Sequence, residues 1–231
     1  MPMLLPKNSN YRYERKFLIE DSSRAEIEQA ILFHPKHFKR IHEPRYINNI
    51  YFDTPDWDAC NDNLIGFENR FKYRIRWYGD LEQTVSPNLE VKIKSGIVGT
   101  KLSQKLKTLN TESKALSGFD FVSYLRNSEV PQDILMEVTA QKPVLVNRYL
   151  RSYFLSIDGK VRVTVDSGIT FKKITAFNSS NFFVPASKRQ VLIEMKYDRS
   201  EALNASEITR QFSFLLTKNS KYVTGVEALY S

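Results

Sequence analysis

The chain has 231 residues, 42% of them hydrophobic and 13% aromatic, with a formal net charge of +8. Length and apolar content suffice for a buried core and exclude a disordered tail, while the basic balance points to an anionic partner. A single cysteine, Cys60, excludes a disulfide framework and a cysteine-rich zinc site, and three histidines leave little for a His-based metal centre.

The opening "MPMLL" is too short for a signal-peptide core, and no apolar run reaches the roughly 20 residues of a membrane span. A cytoplasmic location without a membrane segment is therefore expected. The first strand is expected over 11–19, YRYERKFLI, followed by an Asp21-Ser22-Ser23 cap and a helix through RAEIEQAILF. "FHPKHF" reads as a solvated loop ended by Pro35. A strand over 46–54, YINNIYFDT, stops at Pro55, with Asp53 as a strand-end cap and Cys60 beyond it as a small buried residue. Next come RFKYRIRWYGD at 70–80, NLEVKIKSG at 88–96 and GTKLSQKLKTL at 99–109, the last two forming a hairpin around Gly96 to Gly99. Residues 111–141 read as helical in two pieces broken near Pro131. Strands resume at 143–157, 160–174 and 189–197, and the stretch from Ala202 to Tyr230 reads as helical again. There is no linker, repeat, GxGxxG or GxxxxGK[ST], so one domain over 1–231 is expected, of α+β class with an antiparallel sheet.

The strands repeat one pattern. Lys72, Arg74 and Arg76 share a face opposite Phe71, Tyr73, Ile75 and Trp77. Glu14 shares a face with Lys16, and Glu90 with Lys92 and Lys94, opposite Leu89, Val91 and Ile93. Arg162, Thr164 and Asp166 oppose Val161, Val163 and Val165, and Glu194 and Lys196 oppose Ile193 and Met195. Like charges two residues apart repel, so an anion that compensates them is expected. The helices carry apolar residues (Ile27, Ala30, Ile31, Phe212, Phe214, Leu215, Leu216) that need a surface to cover. If they cover the outside of a sheet, the charged faces turn inward. A closed barrel of about eight strands with helices on the outside then becomes a basic tunnel for a polyanion. Glu14, Glu90 and Glu194 would either pair with the cations or hold a hard divalent cation, Mn²⁺ or Mg²⁺.

In this order YERKFLI, NNIYFDT, YRIRWYG, LEVKIK, VNRYLRSYF, VRVTVD, VLIEMKY and SKYVTG resemble the VTC-domain family, the polyphosphate polymerase domain of vacuolar transporter chaperone proteins. That family sits within the triphosphate tunnel metalloenzyme, or CYTH-like, superfamily. The resemblance implies an antiparallel barrel whose basic interior binds triphosphate or polyphosphate with a divalent metal. By motif, Lys16 matches the basic residue of the first strand, Arg74 and Arg76 the pair that grips phosphates, and Lys92 the lysine of the ExK strand. Lys101 or Lys105 matches a further tunnel lysine, Arg148 and Arg162 the arginines of the NR and VRV strands, Glu194 the metal-binding glutamate, and Ser220 with Lys221 a phosphate contact. Lys94 and Lys196 join the substrate-binding set from the face pattern. "YERK" departs from the ExExK of the wider superfamily and lacks one carboxylate.

The function implied is ATP-dependent polyphosphate polymerisation, with triphosphate hydrolysis in the same tunnel as the alternative and a non-catalytic polyanion-binding module as a third reading. The partners expected are ATP or another triphosphate and inorganic polyphosphate. Nucleic acid is not expected, because Tyr73 and Trp77 lie opposite the cations and carboxylates lie among them.

Overall fold

In the computed structural model the described residues are 12–112, 116, 118–174, 182–186, 190–212 and 214–230. Their strands are β1 (Tyr13–Ile19), β2 (Lys39–Asp53), β3 (Asn69–Tyr78), β4 (Thr84–Val85), β5 (Asn88–Ser95), β6 (Val98–Lys105), β7 (Leu109–Asn110), β8 (Lys142–Leu155), β9 (Val161–Lys173), β10 (Val184–Pro185) and β11 (Val191–Tyr197). Nine form one sheet in the order β1-β11-β9-β8-β2-β3-β5-β6, with β10 beside β9, and β4 pairs with β7 separately. The pairings are antiparallel throughout.

The expected closed barrel is corrected here. No ladder joins the two ends of the path. Among the described residues, β1 and β6 are linked by one isolated bridge, Arg12 with Gly99, at N···O 3.4 Å. Twist brings the ends of this long path together, but Arg12 stands at the very start of β1 and Gly99 beside the β5–β6 turn, so only the strand tips meet. The sheet is therefore curled, with a concave inner face.

Six α-helices accompany it among the described residues. They are α1 (Arg24–Leu32), α2 (Asp58–Ile65), α3 (Phe121–Asn127), α4 (Gln132–Thr139), α5 (Ala202–Gln211) and α6 (Lys221–Tyr230). The expected α1 carries a full capping box, Ser23 accepting from Glu26 N–H while Glu26 accepts from Ser23 N–H. The expected helical stretch 111–141 becomes the shorter α3 and α4, with Pro131 at the start of α4; residues 113–115 and 117 lie outside the described ones. The expected continuous C-terminal helix is broken, because 214–220 is not helical, Leu216 bridges Phe17, and Leu215 and Leu216 are exposed. "FHPKHF" also differs: His34 is buried against Phe38 and Phe212 and hydrogen-bonded to the Ile208 carbonyl.

Apolar strand faces do turn outward under helices. Tyr73, Ile75, Trp77, Leu89, Val91 and Ile93 pack with Phe121, Leu125, Ile134 and Val138 of α3 and α4. Val161, Val163, Val165, Ile193 and Met195 pack with Ile27 and Ile31 of α1 and with Ala205 and Ile208 of α5. A third cluster, holding Tyr51, Leu145, Tyr149, Phe171 and Leu192, lies instead on the inner face, where Tyr51 pairs with Arg74 and Leu192 with Asp166. It is covered there by Cys60 of α2 and Tyr222 and Val223 of α6, so the expectation of helices on the outside is corrected for these two.

The position of α6 depends on one glycine. A Cβ on Gly225 would stand 2.6 Å from the Phe171 ring and 3.0 Å from Leu145, both fully buried. Gly225→Ala is expected to push α6 off the sheet and cost about 1–3 kcal/mol, the usual range for overpacking, measured by denaturant midpoint.

Candidate functional site

Alternation along the strands places the charged residues on the concave face, where two linked clusters form. The first lies on β3, β5 and β6. Glu90, 2% exposed, accepts from Arg74 Nε at 2.9 Å and Nη2 at 2.7 Å and from Lys101 Nζ at 2.6 Å, with Arg76 Nη1 at 3.5 Å. Arg74 also donates to the Tyr51 hydroxyl at 3.1 Å, and Arg76 to Asn49 at 2.7 Å and to Tyr149 at 3.3 Å. Burial would raise the Glu90 carboxyl, yet Arg74, Arg76 and the Lys101 hydrogen bond hold it down to about 2. A carboxyl depressed from 4.5 contributes stability that is complete above pH 4.5 and lost as pH falls to about 2. The expected loss from this group is about 3 kcal/mol, absent in Glu90→Gln, and read from urea midpoints between pH 5 and 2.

The second cluster joins β1, β8, β9, β11 and α6. Lys221, first residue of α6, reaches Asp166 at 2.5 Å and Glu194 at 3.2 Å. Arg151 grips Asp166 through Nε at 2.5 Å and Nη2 at 2.6 Å and reaches Glu194 at 3.2 Å. Lys16 stands 3.6 Å from Glu194 and 3.4 Å from Glu14 and donates to the Asn219 carbonyl at 2.8 Å. Lys196 adds a contact to Glu194 at 3.8 Å. Burial opposes the charge on Glu194, but Lys221, Lys16, Arg151 and Lys196 hold its carboxyl well below the usual range. The two clusters meet where Lys92 of β5 contacts Glu14 of β1 at 3.2 Å.

The structure thus brings together Lys16, Arg74, Arg76, Lys92, Lys101, Lys196 and Lys221 with Glu14, Glu90 and Glu194. Lys94, half-buried, follows on the same face toward Arg70 and Gly99. Lys105 stands exposed at the far end of β6 opposite Asn88. Arg162 is on the inner face beside Lys196 but exposed at its rim. Ser220 accepts from Lys72 at 2.9 Å and from the Val223 N–H at 3.5 Å, at the start of α6.

Arg148 is corrected. It lies on the outer face, with its guanidinium 4.0 Å from the Tyr46 ring centre. Arg148 and Arg151 are three residues apart on one strand, so period-two geometry allows only one of them inside. The register between β8 and β9 shifts between Arg148 and Leu150, where Gly168 takes φ +60°, and this sets Arg151 opposite Asp166. Arg151 is the inner arginine that motif matching missed, and its buried acidic partner on the next strand, Asp166, was the available signal.

The carboxylates divide in their fitness for a metal. Among the described residues no group of three or more His, Cys, Asp or Glu gathers to hold one. Glu90 is saturated by two arginines and a lysine. Glu194, with Lys221, Arg151, Lys16 and Lys196 around it, is engaged as heavily, so a metal at Glu194 would have to displace these cations. Glu14 and Glu194 converge on Lys16, and Glu14 Oε1 is buried without a hydrogen-bond partner. Two such oxygen donors suit a small hard cation that takes its other ligands from phosphate and water.

The class is α+β, with one curled antiparallel sheet, helices on both of its faces and a cationic inner face, a fold shared with solved structures of low identity. An adenylate cyclase candidate from Vibrio parahaemolyticus superposes with a TM-score of 0.51 at 11% identity, over 94% of this chain and 98% of that one. HpAC1 from Hippeastrum, an adenylyl cyclase candidate described as having a dominant triphosphatase activity, superposes with a TM-score of 0.51 at 14% identity, over 94% and 95%. Within that class the chain belongs to the VTC domain family, whose model matches residues 11–230. Vacuolar transporter chaperone complex subunit 2 of Saccharomyces cerevisiae is 28% identical over 158 residues, which are 57% of this chain and 19% of that protein. The chain thus spans about a fifth of the length of this relative. No helix among the described residues is long and apolar enough to cross a membrane.

Proposed function

We propose that the chain catalyses metal-dependent phosphoryl transfer on triphosphate or polyphosphate, as an ATP-dependent polyphosphate polymerase. One observation carries the reading: Arg74, Arg76, Arg151, Lys16, Lys92 and Lys221 converge on one concave face from five different elements. Cations so crowded suit a chain of phosphates, whose oxygens accept bidentate guanidinium bonds. Tyr73 and Trp77 are buried under α3 and α4, so they offer no stacking platform for nucleic acid.

Phosphoryl transfer asks the protein for positioning and charge neutralisation more than for covalent help. Arg74, Arg76 and Arg151 would hold the phosphates in line, with Lys16, Lys92 and Lys101 along the approach. Glu194 and Glu14 are the residues that would hold Mn²⁺ or Mg²⁺. When bound, the metal neutralises charge on the transferring group. A terminal phosphate as acceptor arrives already ionised and needs no general base, which favours polymerisation over hydrolysis.

Incubation with ATP and Mn²⁺, resolved on a gel for polyphosphate beside a free-phosphate assay, tests this. Chains that lengthen with time are expected. Free phosphate without chains assigns a triphosphatase, and neither product, with tripolyphosphate still bound, assigns a binding module.

A further inference from the structure

Lys72, Lys92 and Lys101 form a straight row across β3, β5 and β6, each directly opposite the next. Like charges so opposed are destabilising unless something compensates them. Two of the three are compensated: Lys92 by Glu14 at 3.2 Å and Lys101 by Glu90 at 2.6 Å. Lys72 differs. Its Nζ donates to the neutral Asn63 Oδ1 of α2 at 2.5 Å and Ser220 Oγ at 2.9 Å, and lies 5.6 Å from the Tyr222 ring centre. Among the described residues it makes no ion pair. The charged and titratable groups facing it are Lys92 from β5, Lys16 from β1, Arg70 on its own strand, the Cys60 thiol from α2, and Tyr222 from α6, whose hydroxyl is given to Asp53.

We propose that Lys72 is a phosphate-contact residue of the inner face that takes a proton from solvent when the polyanion binds, exchanging Asn63 and Ser220 for a phosphate oxygen. The inference rests on the reading of this face as a triphosphate or polyphosphate site. Burial first, then repulsion from Lys92, Lys16 and Arg70, bring the amine down from 10.5 to about 7. Near neutrality the amine is therefore half neutral, and a phosphate oxygen supplies the negative charge that the protein omits at this position. Its ordinary charge is then restored, and binding and protonation are linked.

Isothermal titration of the whole chain with sodium tripolyphosphate, in paired buffers of different ionisation enthalpy, measures the proton uptake. Lys72→Arg carries a permanent charge and Lys72→Gln none, so both remove the titration while keeping a hydrogen-bond donor. Against wild type, each variant should lose about half a proton of uptake at pH 7 and nearly one at pH 8.5. Lys196, lowered to about 8 by burial against the pull of Glu194 and Glu14, contributes equally to all three proteins and cancels. From pH 6 to 9 the affinity gap between wild type and Lys72→Gln should narrow and that to Lys72→Arg should widen. Equal uptake in all three proteins, with tripolyphosphate bound, overturns the role of Lys72 and leaves the site standing. No binding by wild type overturns both. If either variant fails to fold, judged by its melting curve, the other decides.

Discussion

Lys221→Met is expected to lower the melting temperature by about 6–20 °C. Lys221 stands at 2.5 Å from Asp166, which has no exposed surface, and at 3.2 Å from Glu194. Burial disfavours its ammonium, but these two carboxylates raise it well above its ordinary value. Methionine keeps the apolar stem and removes the charge, leaving two buried carboxylates to Arg151, Lys16 and Lys196. Breaking such a pair costs about 3–5 kcal/mol, and a chain of this size loses about 2–4 °C per kcal/mol. Asp166→Asn in the same chain should return part of the loss, because the stranded charge goes with it. A melting curve for the single and double variants checks both statements. An unchanged single variant would mean that solvent already screens the pair.

The second large effect falls on Glu194, and it has two signs. Glu194→Gln removes the carboxylate that Lys16, Lys196, Lys221 and Arg151 surround. Metal-dependent turnover should fall at least about a hundredfold, since a Lewis-acid contribution of several kcal/mol exceeds the roughly 2.7 kcal/mol that this factor represents. Metal-free affinity for tripolyphosphate should rise instead, because the inner face gains one net positive charge. A residue that serves only to hold the cations in place would lose both together. Turnover against Mn²⁺ concentration and binding in the presence of chelator separate the cases. Stability should also fall, so both are read well below the melting temperature.

Much of this site was legible because its strands are long and their period is two. Lys72, Arg74 and Arg76 alternate with Tyr73, Ile75 and Trp77, and helices with apolar faces must cover the apolar side. The inward turn of the charges follows from those two facts. What the pattern conceals is pairing across strands. Nothing near Arg76 in the chain announces that Glu90 and Asn49 receive it, so the arginine pair proposed to hold phosphate is also structural. Arg148 drew the motif match, and the registers against β2 and β9 show that Arg151 is inside. Helix α2 was unread because WDACNDNLI has no apolar period. It is held from outside its own sequence: Asp53, expected to end a strand, accepts from the Ala59 and Cys60 N–H groups and from the Tyr222 hydroxyl of α6. The break before α6 was missed for a related reason, since 214–220 is fixed by β1 through the Leu216 bridge to Phe17 and the Thr217 N–H to the Lys16 carbonyl.

The central claim is that the concave face receives a phosphate chain. A crystal structure with tripolyphosphate tests it most directly. The account predicts phosphate oxygens within hydrogen-bond reach of Arg74, Arg76, Arg151 and Lys72, with Lys72 drawn away from Asn63 and Ser220. Phosphate held instead on the outer face, at Arg148 and Tyr46, or an inner face left to its own ion pairs while tripolyphosphate binds elsewhere, would contradict it.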